Sequence, residues 1–499
     1  MRMSKILLPL VWFAMVSTVA LAAATYEPAN ITPPKSPREF RGVWVATLRN
    51  IDWPSRPGLS TAEQKNELLA ILDRAARLKL NAIIFQVRPM CDALYASPIE
   101  PWSQCLTGTM GKPPQPFYDP LAFAIAEAHQ RGLELHAWFN PYRALVKSPD
   151  SQPSANHVSK SRPELVRDYG QYLWLDPGER DVRDYVLRVV LDVVKRYDVD
   201  GVHFDDYFYP DPGLPGANAD FPDEASWKRF GASGQLSRAD WRRENANALI
   251  ERAYHSIKAA KPWVKFGVSP AGIWRPGHPP QIQGRDAYAV IYADSRKWLA
   301  NGWLDYFAPQ LYWPIAQPAQ SFPVLLKWWA EQNKLGRHLW AGLNTVKTAG
   351  DKASWPTEEI LKQIKIARQQ AGVSGHIHWN LHGLLQNQLL VGNLTKDLYA
   401  EPALIPTTPW LGSVAPAKPD LSAVGNGGSG VKINWNPASG ERVWLWLLQA
   451  RKGEKWSGQV LPGDARSHVF SGNAPDAIAL SAVDRLGNAS SPATLSARK

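Results

Sequence analysis

An apolar run that ends in two adjacent carboxylates, Val199-Asp-Gly-Val-His-Phe-Asp205-Asp206-Tyr207, is the strongest chemical signal in this 499-residue chain. Read as a β-strand, alternate residues share a face, so His203 and Asp205 point together and Asp206 points away unless the strand stops at Asp205. A carboxyl group at the end of such a strand can protonate a departing oxygen or carry negative charge against a developing cation. Those are the two demands of glycosidic bond cleavage. The reaction uses a second carboxyl, and two residues compete for that role. One is Asp206, whose plainer alternative is a helix N-cap. The other is Glu100 in Tyr95-Ala-Ser-Pro-Ile-Glu100-Pro-Trp102, whose plainer alternative is a surface acid. The same loop carries Trp102, a flat ring on which a sugar face can stack.

Parity places further groups beside these. Gln86 and Arg88 share a face with Ile84; His136, Trp138 and Asn140 share another; so do Gln310 and Tyr312, and His376, His378 and Asn380. A lone histidine among them is ordinarily a satisfied core residue. Five strands carrying polar or ring groups at one parity point instead to a shared mouth, because each buried polar group left unpaired costs about 1–3 kcal/mol. Asp205 is the expected principal catalytic carboxyl. Gln86, Arg88, Trp102, Trp138, Asn140, Arg143, His203, Gln310, Tyr312, Trp313, Trp379 and Asn380 are the expected substrate contacts. The 23 tryptophans fit sugar stacking as well as core packing.

The elements that position these residues repeat one unit, a short apolar strand, a loop and an amphipathic helix, over residues 41–384. Strands are expected at Arg41–Thr47, Asn81–Arg88, Leu133–Pro141, Val199–Tyr207, Lys265–Ala271, Leu304–Trp313, His338–Asn344 and Gly375–His382. Val182, Val186, Val189, Val190, Val193 and Val194 hold the i, i+3, i+4, i+7 stripe of a helix packed on a sheet, as do Leu68, Leu69, Ile71, Leu72 and Ala75. Eight alternations predict an α/β fold, a closed (β/α)8 TIM barrel. The strand-to-helix joins are the long ones, Pro89–Tyr118, Tyr142–Gly178 and Phe208–Leu236, and that end of a barrel is where active sites are built. Residues 38–400 are assigned to the barrel. A Pro- and Thr-rich stretch at 401–419 reads as a linker. Residues 420–499 carry short alternating strands (Val431–Trp435, Val443–Leu448, Ala477–Val483) and read as an all-β sandwich.

Arg2 and Lys5, the uncharged run Ile6–Leu21 and Ala20-Leu21-Ala22 form a secretory signal peptide over residues 1–22, with the mature chain starting near Ala23. The run is short of a membrane span. An exported, periplasmic or secreted location follows, with no transmembrane span in the mature protein. In that oxidising compartment Cys91 and Cys105, the only two cysteines, are expected to pair as a disulfide that staples their loop. No Cys and His cluster has zinc spacing, so neither a metal nor a cofactor is expected. The formal charge of +11 is scattered among acids, which argues against a nucleic-acid partner and for an anionic envelope polymer.

Arg41-Gly-Val-Trp44, Phe85-Gln-Val-Arg88, Tyr118-Asp-Pro-Leu121, His136-Ala-Trp-Phe-Asn-Pro-Tyr-Arg143 and Gly201-Val-His-Phe-Asp-Asp-Tyr207 resemble the glycosyl hydrolase-like family ten, formerly a domain of unknown function, across Arg38–His382. The resemblance implies glycoside hydrolysis and, for envelope members, action on the glycan strands of peptidoglycan. Asp200-Gly-x-x-x-Asp205 also looks like the fourth-strand signature of chitinase-type barrels, with Gln310-Leu-Tyr312 and Trp379 where those enzymes keep Tyr and Trp. Their catalytic Glu aligns with Tyr207, however, so their mechanism does not transfer. Ile478-Ala-Leu-Ser-Ala-Val-Asp-Arg-Leu-Gly-Asn488 resembles the last hairpin of a fibronectin type III domain, a module through which envelope protein partners could dock. Two other readings remain at this level: a lyase-type cleaver that leaves anhydro ends, and a non-catalytic carbohydrate-binding protein that has kept the cleft.

Overall fold

A computed structural model describes residues 25–498 apart from 149–150, 215, 218–219, 352, 426–429, 441 and 473. The signal peptide expected at 1–22 lies outside the described residues. Eight parallel strands close into a barrel: β1 Phe40–Val45, β2 Ala82–Arg88, β3 Glu134–Phe139, β4 Gly201–Phe204, β5 Lys265–Val268, β6 Tyr306–Phe307, β7 His338–Asn344 and β8 Gly375–Trp379. They pair in sequence order and β8 returns to β1, with Ile377 opposite Gly42. The principal helices after these strands are α1 Thr61–Arg77, α2 Pro120–Gln130, α3 Arg180–Arg196, α4 Arg238–Ala260, α5 Ser295–Ala300, α6 Phe322–Gln332, α7 Thr357–Gln369 and α8 Leu381–Gln386. Ser60 starts α1 with a capping box: its Oγ accepts from Glu63 N at 3.3 Å, while the Glu63 carboxylate accepts from Ser60 N at 2.8 Å. The valine stripe of α3 is buried against the outer face of the strands, as its spacing requires.

Several strands are shorter than expected. β5 ends at Val268 and β6 holds only Tyr306–Phe307, with Gln310 joined to its neighbours by isolated bridges. Pro270 and Pro309 interrupt these runs, because proline has no N–H for the ladder. The loop after β3 builds a three-stranded sheet of its own, Arg143–Val146, Val166–Tyr169 and Tyr172–Leu175. Its mixed polar sequence gives no clean period-2 signal, which is why the sequence reads as loop.

Inside the barrel rings take much of the place of the usual aliphatic layers. Trp340 lies flat on Phe40 at 3.5 Å and on Tyr306 at 4.3 Å between centroids. Glycines make the room. A Cβ on Gly267 would fall 2.1 Å from the Tyr306 ring, and one on Gly201 would fall 2.4 Å from His136 Nδ1. Ile405 packs with these rings.

The stretch read as a linker is therefore docked on the barrel: Trp410 donates to Asp305 Oδ1 at 2.8 Å, and Thr408 Oγ1 lies 3.1 Å from His338 Nε2. Beyond it two antiparallel sheets pack together. One has three strands, Asp420–Gly425, Gly430–Asn436 and Ser467–Ser471. The other has five, ordered Tyr26–Pro28, Ala493–Ala497, Ala477–Val483, Leu445–Lys452 and Lys455–Pro462. The N-terminal strand thus completes the C-terminal module. That module is fixed beneath the barrel by Arg485, which binds Asp200 at 2.9 Å and Asp198 at 2.5 Å.

The ring-filled axis makes Gly267→Ala an overpacking substitution, with an expected loss of about 1–3 kcal/mol. Urea denaturation measures it. An unchanged midpoint would mean that Tyr306 is free to move aside.

Candidate active site

Asp205 follows the last residue of β4 at the C-terminal mouth of the barrel and is 3% exposed. It lines a cavity of about 240 Å³ together with Trp44, Trp138, Asp206, Tyr207, Ser269, Gln310, Tyr312 and Trp379. Its Oδ2 accepts from Trp138 Nε1 at 3.1 Å, and Asn140 Nδ2 donates to both oxygens at 3.0 and 3.1 Å. Burial pushes the Asp205 carboxyl up to about 7, reinforced by the charge on Asp206 and opposed by Arg143 and the hydrogen bonds from Asn140 and Trp138. Asp206 is also raised by burial, while a hydrogen bond from Gln310 and the charges of Arg285 and Arg143 favour its anion. Two neighbouring carboxyls with divergent surroundings can divide the roles of acid and anion.

The Trp44, Trp138 and Trp379 rings wall the cavity edge to face, each 6.1 Å from the next where Trp379 meets the other two. The Arg143 guanidinium backs the site and stacks 4.2 Å over the Tyr207 ring. Arg143 Nε is buried without a partner.

Beneath the cavity a hydrogen-bonded chain runs along the barrel axis. Trp44 Nε1 donates to His203 Nε2 at 3.1 Å, and Ser269 Oγ lies 2.9 Å from the same nitrogen. His203 Nδ1 is 3.0 Å from Tyr306 Oη, which is 3.0 Å from His136 Nδ1. His136 Nε2 then meets Glu134 at 3.0 Å, and Glu134 pairs with Lys265 at 2.7 Å. An indole N–H can only donate, so His203 Nε2 carries no proton and Nδ1 does. Nδ1–H donates to Tyr306, whose O–H donates to His136, whose Nε2–H donates to Glu134. Burial holds His203 well below the usual imidazole range, so it stays neutral. Burial alone would raise Glu134, but Lys265 and His136 bring it down to about 2.

The structure gathers Asp205, Asp206, Trp138, Gln310, Tyr312 and Trp379 at one cavity, with Asn140 and Arg143 directly behind. Other expected contacts lie elsewhere. His203 is under the floor. Gln86 Oε1 receives Thr47 N and Leu48 N at 2.9 Å and pins the loop after β1. A bulge after Gln86 turns Arg88 out of the axis, so it pairs in register with outward-facing Phe139. There Arg88 and Glu100 form an ion pair at 2.6 Å with both side chains 0% exposed, and Tyr185 donates to Glu100 at 2.7 Å. Glu100 is therefore closed to solvent rather than presented at the mouth.

Trp102 packs edge-on to Phe117, and Trp313 packs on the outer core; neither lines the cavity. On β8 the inward residues are Ile377 and Trp379, because Ile377 pairs with Gly342 and Gly42. His376 and His378 face outward to the Tyr399 hydroxyl. Asn380 caps α8 through Gly383 N at 3.0 Å and donates to Asp52 at 3.1 Å. The disulfide does not form: Cys91 and Cys105 are free, buried thiols. Cys91 sits at φ 52° with its sulfur 3.1 Å from Arg88 Nη2, inside the Arg88–Glu100 nest. Among the described residues no group of His, Cys, Asp and Glu could hold a metal ion.

Four residues at the site escaped the sequence reading: Trp44, Tyr207, Ser269 and Asp52. Trp44 was reachable, since parity on β1 places it inward near the strand's end. Ser269 gave no signal, being one small residue after a short apolar strand. Asp52, pushed up to about 6 by burial, braces the mouth by accepting from Ala46 N at 2.7 Å and from Asn380.

A (β/α)8 barrel with a carboxyl group shifted toward neutrality and three indoles at its C-terminal mouth has the architecture of a glycoside hydrolase. The chain matches the family Glycosyl hydrolase-like 10 over residues 39–355 and belongs to it. It is 43% identical over 400 residues to the glycosyl hydrolase YngK of Bacillus subtilis (strain 168), covering 78% of each chain. It is 39% identical over 382 residues to the glycosyl hydrolase DigH of Escherichia coli (strain K12), covering 70% of this chain and 85% of that one. Among solved structures, the glycoside hydrolase domain of PgaB (BpsB) from Bordetella bronchiseptica aligns with a TM-score of 0.47 at 16% identity, over 72% of this chain and 98% of that chain. The catalytic domain of β-amylase from Paenibacillus polymyxa aligns with 0.49 at 12%, over 73% and 99%.

Removing the charge of Glu100 by Glu100→Gln strands Arg88 in a dry interior, with an expected loss of about 3–5 kcal/mol in urea denaturation. A stable Glu100→Gln protein that had lost all glycan cleavage would return Glu100 to the chemistry.

Proposed function

We propose that this protein is a glycoside hydrolase of an amino-sugar polymer, the glycan strands of peptidoglycan, working outside the cytoplasm. The observation that carries the reading is Asp205: a buried carboxyl group, shifted to about 7, at the barrel mouth among three indoles. Near neutral pH a substantial fraction of it holds a proton, as a general acid requires. Protonation of the glycosidic oxygen by Asp205 weakens the bond to the anomeric carbon. Asp206, on the same cavity, carries the negative charge that faces the oxocarbenium-like transition state. Trp44, Trp138 and Trp379 offer their faces to the apolar C–H side of the ring. A cavity of about 240 Å³ is small beside the roughly 300–1,000 Å³ of drug-sized sites, and suits one ring of a chain whose neighbours lie outside. Water as the acceptor gives hydrolysis.

Incubation with intact and with peptide-stripped peptidoglycan, followed by product masses, tests this. Reducing ends, each carrying one added water, are expected; anhydro ends alone would establish a lyase. Asp205→Asn should fold, bind glycan and lose about 10²–10⁴-fold in rate. Wild-type turnover from it would overturn the assignment.

The pH profile has a definite sign. Activity needs protonated Asp205, so kcat/KM should fall as pH rises through about 7. Arg143 favours the Asp205 anion and the Asp206 charge disfavours it, so Arg143→Gln should move that alkaline limb to higher pH, and any activity left in Asp206→Asn should show it at lower pH. Shifts in the reverse directions would mean that another group controls the limb.

A further inference from the structure

Ser269 follows β5, is 2% exposed and lines the cavity, yet nothing in the acid chemistry employs it. Its hydroxyl is oriented from below. Among the described residues, the one hydrogen-bond partner of its Oγ is His203 Nε2, at 2.9 Å. That nitrogen already accepts the Trp44 indole N–H, so it has a lone pair and no proton. The contact is a hydrogen bond only if Ser269 is the donor, sharing the lone pair with Trp44. The hydroxyl proton is thereby directed down the axis, and the oxygen lone pairs are left for the cavity. The backbone around it is also fixed: Ser269 N donates to Phe204 O at 2.9 Å and Ser269 O accepts from Gln310 Nε2 at 3.0 Å.

We infer that Ser269 is a specificity-determining residue, whose Oγ accepts a hydrogen bond from an N–H or O–H substituent of the sugar ring bound in the cavity. The inference rests on the glycoside hydrolase reading above. The chain from Tyr306 through His136 and Glu134 to Lys265 holds from below the His203 tautomer that the Trp44 indole sets from above. Tyr306 Oη accepts a hydrogen bond from His203 Nδ1–H, His136 Nδ1 accepts from the Tyr306 hydroxyl, and the Glu134 carboxylate accepts from His136 Nε2–H, so the imidazole is held in this tautomer. His203 and Tyr306 are positioning residues that act through Ser269 and Trp44.

Steady-state kinetics of the full chain on soluble peptide-stripped peptidoglycan strands tests this. Ser269→Ala removes the acceptor and leaves the sugar donor unpaired in a dry site. KM should rise about tenfold while kcat falls by much less, because the bond is made to the bound ring in ground and transition states alike. The melting temperature should hardly move. Tyr306→Phe should raise KM in the wild-type background and add much less in the Ser269→Ala background, since it acts partly through that hydroxyl. An unchanged KM in Ser269→Ala, in a protein whose wild type cleaves the strands, would overturn the inference and leave the hydrolase reading standing. Full additivity of the two substitutions would overturn the role given to the chain. A wild type that cleaves neither these strands nor any other amino-sugar polymer would remove the reading on which both rest.

Discussion

A barrel interior filled with hydrogen-bonding rings can exist only if every donor meets an acceptor, and here a single constraint sets the order. The Trp44 indole has one proton to give and no lone pair to offer, so it dictates the tautomer of His203, then the direction of the Tyr306 hydroxyl, then the tautomer of His136. The series ends on a carboxylate, Glu134, which a buried ammonium, Lys265, holds in its charged form. One missing partner would leave a desolvated polar group costing about 1–3 kcal/mol. Four strands, β1, β3, β4 and β6, supply the series and β5 supplies its anchor, so its geometry also locks their mutual register. The glycines at 201 and 267 follow from it, since a side chain there would occupy the space of the rings.

The cavity above inherits its character from this floor. A neutral His203 places no charge below Asp205, so the carboxyl group feels dryness and the neighbouring Asp206, with Arg143 as the opposing charge and hydrogen bonds from Asn140 and Trp138 beside it. A cationic imidazole one pleat down would hold Asp205 as an anion and abolish a proton donor near neutrality. The same neutral ring frees the Trp44 and Ser269 side chains to serve as cavity wall and floor. The polar axis is therefore part of the site's electrostatics even though most of it lies beneath the cavity.

Eight strands, their order, the long loops at one mouth and the inward Asp205 were all legible in the sequence, because they rest on hydrophobic period and strand parity. What failed did so for local reasons. Parity cannot foresee the bulge that turns Arg88 from the axis into an ion pair with Glu100, nor which parity of β8 is inward when both carry rings. There Ile377, a plain aliphatic, marked the inner face better than His376 and His378. Export suggested that Cys91 and Cys105 would pair, but pairing needs geometry that composition does not hold. The N-terminal strand Tyr26–Pro28 is three residues long and finds its partner 471 positions away, as Tyr26 pairs with Ala497. No local pattern announces such a pairing.

The two ends of the barrel place opposite pH dependences on stability. Asp205 has a folded-state pKa near 7 against an ordinary 3.8, so the folded protein binds its proton more tightly than the unfolded chain. Its contribution to stability is full below about 3.8 and is lost as pH rises through 7. At the N-terminal face burial opposes the anion of Glu39, yet Arg368, His376 and Arg41 draw it down to about 2; Lys265 and His136 do the same for Glu134. Their contributions are present above the ordinary 4.5 and fade as pH falls toward 2. Near neutral pH the lower face thus stabilises the fold under the same conditions in which the mouth carries an unfavourable carboxylate. The docked sandwich adds to that lower face: the Arg485 side chain binds Asp198 and Asp200, and its carbonyl accepts from Lys265 Nζ at 3.3 Å. The second domain thereby supports the anchor of the axial chain, and through it the geometry of a site at the other end of the barrel.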